Sequence, residues 1–162
     1  MGQGISFRPM RAGDAAPVSR LVRSTFLEFI APTYRPRGVR WFLRHNTPGA
    51  LRGRLRKGQL VLVAEAKGRP AGVIALRGGI HVSLLFVDPG LHGRGIGRGL
   101  LRAACERLGD GADTVTVNSS DYAVPFYRSL GFEPVAGPRY RKGMKITPMW
   151  RFTRSSPGPS GP

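Results

Sequence analysis

The sequence predicts one α/β domain whose mixed sheet is covered by helices on both faces. Its 162 residues are a typical length for a single domain, and 41% of them are hydrophobic, enough for a core of ordinary size. Short apolar or alternating segments predict about six or seven strands, and stretches of helical periodicity lie between them. Because strands and helices are interleaved along the chain, we expect helices on both faces of one sheet.

The first third of the chain is predicted to hold one strand and a run of helices. Residues 5–8 alternate apolar and polar side chains, as a short half-buried strand does. A helix follows, with Asp14 as its expected N-cap, because a carboxylate can accept the free N–H groups of the first turn. Residues 38–45 predict a second short helix, and Thr47 is the expected N-cap of a third, basic one.

The remainder of the chain alternates predicted strands with two predicted helices. The first of these helices follows a glycine-rich loop and ends near Leu108, and the second spans residues 121–130. A basic loop, residues 139–145, is expected to join the last two strands. The Ser, Pro and Gly residues at 155–162 predict a disordered tail, so the domain itself is expected to cover residues 1–154. The predicted strands are residues 59–66, 71–77, 80–87, 113–118, 132–136 and 149–153.

The chain is strongly basic, with a formal net charge of +17 from 26 Lys and Arg against 9 Asp and Glu residues. Such a charge favours acidic partners, but no zinc-finger, helix-turn-helix or RNP pattern accompanies it, so nucleic acid is not an expected partner. No apolar run approaches the ~20 residues that span a bilayer, and no export signal is recognisable, so we expect a cytoplasmic protein without a membrane partner. The single cysteine, Cys105, fits a reducing compartment and is expected to be a small core residue.

The stretch with most functional information is the glycine-rich loop at residues 93–99, between a strand that ends in Val87 and a helix. Glycines occupy alternate positions there, with Arg94 and Arg98 between them. Bare backbone N–H groups at a helix N-terminus can bind phosphate, and glycine lets the ligand approach closely. The spacing matches neither the dinucleotide-binding fingerprint nor the Walker A loop. It favours a pyrophosphate held by backbone N–H groups, with the two arginines available to pair with its charge.

Two segments together resemble a known family. Residues 87–101 (VDPGLHGRGIGRGLL) resemble the acetyl-CoA-binding motif of the GNAT N-acetyltransferase superfamily, and residues 123–132 (AVPFYRSLGF) resemble its second signature. With the order of elements, the resemblance covers nearly the whole chain. It implies a three-layer fold around a central mixed, mostly antiparallel, twisted sheet. It also implies acetyl transfer from acetyl-CoA to a primary amine of a small molecule or a protein, without a metal.

The resemblance implies which residues contact acetyl-CoA. The end of the strand before the loop would pair its backbone with the pantetheine arm and the thioester carbonyl, and the loop would hold the pyrophosphate. Some positions depart from the family pattern. His92 replaces a Gln or Arg, and Ser120 replaces an Asn for which Asn118 can substitute. Val115 replaces a Glu that gives some members a route to a general base. The implied cofactor-binding residues are Leu85, Phe86, Val87, His92, Gly93, Arg94, Gly95, Ile96, Gly97, Arg98, Asn118 and Ser120.

Tyr127 and His81 are the candidate catalytic residues. The resemblance places Tyr127 opposite the cofactor sulfur, where a phenol of pKa ~10 can donate a proton to a thiolate whose acid has pKa ~8.5. His81, on the strand before the loop, has an ordinary pKa near neutrality and can accept the proton of the amine. Glu65 on a neighbouring strand, or a chain of water molecules, is the alternative base. A backbone N–H at the strand end would stabilise the charge on the carbonyl oxygen.

The acceptor is expected to enter between the first helices and the last two strands, in basic surroundings that argue against a polyamine. Two other functions stay open at this point, a non-catalytic acetyl-CoA sensor of the same fold and a basic nucleic-acid-binding module. The sequence also leaves the oligomeric state open, with a homodimer among the options. The aromatic residues available to line the acceptor site are Phe26, Phe29, Tyr34, Trp41, Phe42 and His45.

Overall fold

The structure is a computed structural model that describes residues 4–154. Over these residues the chain forms five α-helices and an eight-stranded sheet. The predicted tail at residues 155–162 lies outside the described residues, and the domain boundary at residue 154 stays a prediction. The strands are β1 (Ser6–Pro9), β2 (Leu60–Ala66), β3 (Arg69–Arg77), β4 (His81–Val87), β5 (Thr114–Ser119), β6 (Glu133–Pro134), β7 (Arg139–Arg141) and β8 (Met144–Phe152). The helices are α1 (Ala15–Phe29), α2 (Pro36–Arg44), α3 (Pro48–Arg56), α4 (Ile96–Leu108) and α5 (Val124–Ser129).

The sheet runs in the order β1-β2-β3-β4-β5-β8-β6, with β7 paired to β8. Neighbouring strands are antiparallel except for β4 and β5, which are parallel. The predicted mixed, mostly antiparallel sheet is therefore confirmed. The strand count exceeds the expected number of about six or seven because the predicted basic loop contains β7.

Two hydrophobic cores, one on each face of the sheet, give the domain its three layers. On one face, α1 and α3 pack through Val22, Phe26 and Leu51. On the other face, α4 packs through Leu100, and Phe132 after α5 joins the same core. Full burial of each such side chain stabilises the fold by about 1.5–3 kcal/mol. The prediction of helices on both faces is confirmed.

The first helix differs from the prediction at Asp14. Its carboxylate makes no side-chain hydrogen bond to the first turn of α1. It accepts instead from the guanidinium of Arg8 at 2.7 Å and from the backbone N–H of Arg11 at 2.7 Å. Two charge-assisted bonds from the guanidinium, one to each carboxylate oxygen, hold the side chain in this position. Thr47, by contrast, caps α3 as predicted, because its Oγ1 accepts from the N–H of Ala50 at 3.1 Å.

The carboxyl-terminal strands depart most from the prediction. Residues 139–145, expected as a loop, form β7 and the start of β8. A tight turn joins the two strands, with φ angles of 51° at Lys142 and 81° at Gly143. The polar residues of β8 and its Pro148 interrupt the alternation by which a strand is recognised, which explains why the start of β8 was predicted too late.

The last helix is shorter than predicted. The predicted helix at residues 121–130 is α5, which begins at Val124 after a turn. The Oγ of Ser120 caps this turn by accepting from the N–H of Ala123 at 3.3 Å. Within residues 4–154, no helix combines the length and the apolar character needed to cross a membrane.

Candidate active site

The candidate site lies where β4 and β5 separate. In the described part of the chain, these parallel strands pair only at His81 with Thr116 and at Val82 with Val117. β4 then continues to Val87 with β3 on its other edge, whereas β5 continues with β8. Past Val82, one edge of β4 therefore faces an opening in the sheet. Such an edge offers main-chain donors and acceptors to an extended ligand.

A bulge in β4 sets which side chains face each core. Across β3, Ala75 pairs with Leu84 and Leu76 pairs with Val82, so Ser83 has no partner in the ladder. An extra residue of this kind reverses the alternation of the strand. Accordingly, Val82 belongs to the core under α4, whereas Leu84 belongs to the core under α1.

Past the bulge, alternate residues of β4 turn their backbone groups toward the opening. The N–H of Asp88 donates to the carbonyl of Ala71, on the β3 side, at 2.8 Å. Because the backbone groups of a strand alternate between its two edges, those of Leu85 and Val87 face the opening. The side chain of His92 is consistent with this orientation of the Val87 carbonyl, because its Nε2 lies 3.1 Å from the carbonyl oxygen.

A cavity of about 550 Å³, called the channel below, begins at this edge and passes between α1, the glycine loop and α5. Thr25 of α1 also lines it, and the Oγ1 of Thr25 is buried without a hydrogen-bond partner. A buried polar atom left unpaired costs free energy, so a hydrogen bond to this hydroxyl would be favourable. The predicted cofactor-binding residues that line the channel are Leu85, Phe86, Val87, His92, Gly93, Gly95, Ile96, Gly97 and Arg98.

The glycines of the loop have two separate causes. Gly93 and Gly95 have φ angles of 79° and 76°, a left-handed conformation that only glycine adopts without strain. Gly97 and Gly99 lie within α4, where a Cβ on Gly97 would come 2.6 Å from the Cζ of Phe126 and one on Gly99 would overlap the ring of Phe7. The whole run was predicted to serve ligand binding, but the packing of α4 also requires glycine at the last two positions.

Arg94 and Arg98 lie on different sides of the loop. Arg98 lines the channel, with an N–H 3.4 Å from the carbonyl oxygen of Ser129. Arg94 lines a separate hollow beside β1, together with Ile5 and Ala66. Of the two arginines, Arg98 is the one placed to meet a charge in the channel.

A cavity of about 280 Å³, named the second cavity, lies on the other side of the opening. Its walls come from α1, α2, α3 and α5, from β4 and the ends of β3 and β5, and from the β7–β8 hairpin. Both candidate catalytic residues, Tyr127 and His81, line it, and so do Asn118 and Ser120, which were predicted to bind the cofactor but do not line the channel. The channel and the second cavity meet at the residues they share, which are Ile30, Leu85, Phe86 and Ala123.

Tyr127 is almost completely buried, with 5% of its surface exposed. Its ring packs edge-on against Phe126 and Phe132, at centroid distances of 5.5 and 5.2 Å. Burial raises the pKa of the phenol well above its ordinary value. The hydroxyl is therefore protonated at neutral pH and can act as a proton donor, not as a base.

His81 is half-buried at the first of the two paired positions of β4 and β5. Its Nδ1 lies 2.9 Å from the Oγ1 of Thr116. Burial lowers the pKa of the imidazole, and the nearby charges of Arg77 and Arg141 lower it further.

The other candidate base, Glu65, lines neither cavity and pairs with a guanidinium of β1 at 3.0 Å. Among residues 4–154, no three His, Cys, Asp or Glu side chains come together as metal ligands would.

The aromatic residues expected at the acceptor site divide into two groups. Phe26 and Phe42 stack at a centroid distance of 3.8 Å and line the second cavity with Tyr34 and Trp41. Phe29 and His45 line neither cavity. The ring of Phe29 stacks on Tyr122 beside the channel, and that of His45 on Trp41.

The β7–β8 hairpin closes the second cavity by packing on α2. The N–H of Arg35 donates to the carbonyl of Gly143 at 2.8 Å, and the guanidinium of Arg35 lies 4.1 Å from the ring centre of Tyr140. A Cβ on Gly38 would come 2.5 Å from the carbonyl carbon of Gly143. The hairpin can therefore pack against α2 at this point only because Gly38 and Gly143 have no side chain.

One polar residue of the second cavity was not predicted from the sequence. Arg54 of α3, the helix predicted only as a basic one, lines the cavity. Its position, one turn after the buried Leu51 and next to Leu55, was the available signal. A long cationic side chain on the apolar face of a helix is normally assigned to the rim, which is why the residue was missed.

Comparison with known families identifies the class of protein. Residues 30–151 match the family model described as an acetyltransferase (GNAT) domain, and this range contains both signature segments. The fold and the site thus define an acyl-CoA-dependent N-acetyltransferase domain. The chain belongs to the GNAT acetyltransferase family, which confirms the resemblance found in the sequence.

Solved structures and a curated relative agree with this assignment. A GCN5-related N-acetyltransferase from Rhodopseudomonas palustris is 27% identical over 94% of this chain and 98% of that one, with a TM-score of 0.78. The PaiA N-acetyltransferase of Thermoplasma acidophilum, solved with coenzyme A, is 18% identical over 92% of this chain and 99% of that one, with a TM-score of 0.75. The glucosamine 6-phosphate N-acetyltransferase of Trypanosoma brucei brucei is 38% identical over 53 residues, which are 32% of this chain and 36% of that protein.

Proposed function

We propose that this protein transfers the acetyl group of acetyl-CoA to a primary amine of a small molecule or a protein. The observation that carries the proposal is the meeting of the channel and the second cavity at Leu85 and Phe86. A thioester in the channel and an amine in the second cavity would meet at the exposed edge of β4. Tyr127 and His81 line the second cavity beside that edge.

The residues of the channel fit acetyl-CoA, whose thioester supplies the acetyl group. The loop from Gly93 to Gly97 offers N–H groups to a pyrophosphate at the N-terminus of α4, which the helix dipole also favours. Arg98 adds a charge that pairs with phosphate. The backbone groups of Leu85 and the unpaired Oγ1 of Thr25 offer hydrogen bonds to the amides of a pantetheine arm. These residues support binding without any rearrangement of the sheet.

The proposed reaction is a direct transfer in which one N–C bond forms and the C–S bond breaks. A backbone N–H of β4 stabilises the negative charge that develops on the carbonyl oxygen. Tyr127 donates its proton to the departing sulfur, and its phenol, whose pKa is raised by burial, carries that proton at neutral pH. His81 accepts the proton of the amine, directly or through water, and the lowered pKa of its imidazole keeps the ring neutral.

A small-molecule acceptor is supported by two observations. The curated relative is named for glucosamine 6-phosphate, a small amine. The second cavity, at about 280 Å³, is close to the size of a small-molecule site. An amine of a protein is the other acceptor class, and a thiol-release assay with both classes separates them.

The variant Tyr127→Phe tests the proposed general acid. We expect kcat for the best amine to fall by about 10²- to 10⁴-fold, a typical loss for a general acid or base. Acetyl-CoA binding should persist, because phenylalanine keeps the packing against Phe126 and Phe132. The matched control is Tyr140→Phe, since Tyr140 is exposed and lines neither cavity. The measurements are thiol release from acetyl-CoA and thermal stabilisation by acetyl-CoA.

The same measurements separate the alternative functions. Thermal stabilisation without turnover of any amine would favour an acetyl-CoA sensor. A ligand at 100 times its Kd stabilises by about 2.7 kcal/mol, so the lack of any thermal shift at saturating acetyl-CoA would contradict both the enzyme and the sensor. An unchanged kcat in Tyr127→Phe would remove the general-acid role alone.

A further inference from the structure

The second cavity is lined by positive charge without any carboxylate. Arg54, Arg77, Arg141 and Lys142 line it, and none of its lining residues is Asp or Glu. A cleft whose charges share one sign concentrates ligands of the opposite sign. An acceptor that carries only positive charge would be repelled here, whereas an acceptor with an anionic group would be attracted.

Arg54 is the most enclosed of these cations. Its Nη1 donates to the Oγ of Ser83 at 3.0 Å, and its Nη2 donates to the Oδ1 of Asn46 at 3.2 Å. Both acceptors are neutral, and no carboxylate among residues 4–154 lies within ion-pair distance of this guanidinium. A guanidinium has more N–H donors than these two bonds use. Arg54 is thus a half-buried charge without a counter-charge.

The partners of Arg54 hold it in place. Asn46 is 1% exposed, and its Nδ2 donates to the carbonyl of Phe42 at 2.8 Å, which directs Oδ1 to the guanidinium. Ser83 is the bulged residue of β4 and also donates to the carbonyl of Ala75 at 3.2 Å. The guanidinium is therefore fixed before any ligand arrives, which lowers the entropy cost of binding.

The position of Arg54 fits one end of an acceptor molecule. Ser83 lies two residues before Leu85, where the two cavities meet. The rings of Trp41 and Phe42 line the same cavity and offer apolar surface to the body of a ligand. Partial burial of a charge without a partner costs free energy, so a ligand that supplies the partner recovers part of this cost.

We propose that the acetyl acceptor is a small primary amine that also carries a carboxylate or a phosphate, bound by the guanidinium of Arg54. This inference rests on the proposed function and specifies its acceptor. A guanidinium binds either anion through paired N–H···O bonds, so an oxyanion is the shared chemistry. The exposed Arg77, Arg141 and Lys142 at the rim attract the same anion from solution.

Matched acceptors that differ only in the anionic group test the proposal. One arm compares α-amino acids with their amides, and the other compares glucosamine 6-phosphate with glucosamine. Rates of thiol release are expressed per unprotonated amine, because an amide changes the pKa of its neighbouring amine. We expect the anionic member of at least one arm to have a kcat/KM at least about tenfold higher than its neutral partner. The arm that shows the preference distinguishes carboxylate from phosphate.

Variants of α3 then assign the preference to Arg54. Arg54→Met removes the charge and keeps the length, so we expect it to lower the ratio of anionic to neutral kcat/KM by about tenfold or more. Arg54→Lys keeps a charge without the paired geometry and should retain part of the ratio. Arg56→Met is the matched control, because Arg56 is exposed on the same helix and lines neither cavity. Arg77→Gln, at the exposed rim, should lower the ratio by a smaller factor without affecting folding.

The outcomes separate this inference from the proposed function. Equal kcat/KM within both arms, or an unchanged ratio in Arg54→Met, would overturn the anionic acceptor and leave the acetyltransferase proposal intact. If no amine is turned over, the proposed function fails, and calorimetric binding of the same matched pairs to the wild-type protein and Arg54→Met decides the inference. Weaker binding of the anionic member by Arg54→Met supports it, and equal binding contradicts it.

Discussion

The channel and the second cavity meet at one strand but are built from different parts of the chain. Many of the polar groups of the channel are main-chain groups, which belong to the glycine loop, the N-terminus of α4 and the open edge of β4. The second cavity is made of side chains from four helices, three strands and a hairpin. Backbone groups persist through changes of sequence, whereas side chains do not. The channel therefore suits a ligand common to a family, and the second cavity suits one particular to this protein.

Of the variants that compare the two regions, Gly38→Ala is expected to have the largest effect. In Gly38→Ala the new Cβ meets backbone atoms of Gly143, which no side-chain rotation can relieve. The β7–β8 hairpin must then move off α2 and open the second cavity. We expect a stability loss of about 1–3 kcal/mol and at least a tenfold fall in kcat/KM for the amine. The affinity for acetyl-CoA, measured by calorimetry, should change less than about twofold, because the channel does not include the hairpin.

Gly49→Ala provides the control for this variant. Gly49 lies in α3, and a Cβ there meets nothing within 4 Å. Alanine should stabilise the helix by about 0.5–1 kcal/mol and leave turnover unchanged. If Gly38→Ala weakened acetyl-CoA as much as the amine, the two regions would not be separable and the comparison would fail.

The same contrast explains what could be predicted from the sequence. The glycine loop and the Phe-Tyr-x-x-x-Gly-Phe signature are contiguous, so the channel and Tyr127 could be placed from short segments. Gly97 and Gly99 show the limit of that reasoning, because their contacts with Phe126 and Phe7 come from elements distant in sequence. The glycines of residues 93–99 were recognised as a motif, but the need for glycine in the packing of Gly97 and Gly99 was not predicted.

The second cavity could not be predicted in the same way, because its residues come together only through tertiary structure. Arg54 meets Ser83 across 29 positions of the chain, and the sequence gives no local sign of this bond. The hairpin was missed because Pro148 and polar residues hide the period of β8. Asp14 was expected to cap α1, but its charge pairs with Arg8, which a local rule for helix ends does not consider.

A smaller effect is expected in the pH dependence of the second cavity. The charge of Arg77 helps to lower the pKa of His81, after burial, so removing that charge should raise this pKa. If neutral His81 is the base, the acid limb of kcat/KM lies below the ordinary pKa of histidine in the wild type. It should then move to higher pH in Arg77→Gln. The measurement uses one neutral amine at several pH values, with Arg56→Gln as the control. An acid limb that persists unchanged in His81→Gln would assign the base to another group.

The smallest effect is expected in the channel, at its unpaired hydroxyl. Thr25→Val replaces a buried Oγ1 that has no hydrogen-bond partner, so the free protein should be equally stable or more stable. Acetyl-CoA should bind about 2- to 10-fold more weakly, because one hydrogen bond to the ligand is lost. Thr33→Val is the matched contrast, since Thr33 donates to the carbonyl of Ile30 at 2.8 Å and lines neither cavity. That variant should lose about 1 kcal/mol of stability and keep its affinity for acetyl-CoA. Thermal denaturation and calorimetry together distinguish the two threonines, and a Thr25→Val protein with unchanged affinity would leave ligand recognition in the channel to the backbone and Arg98.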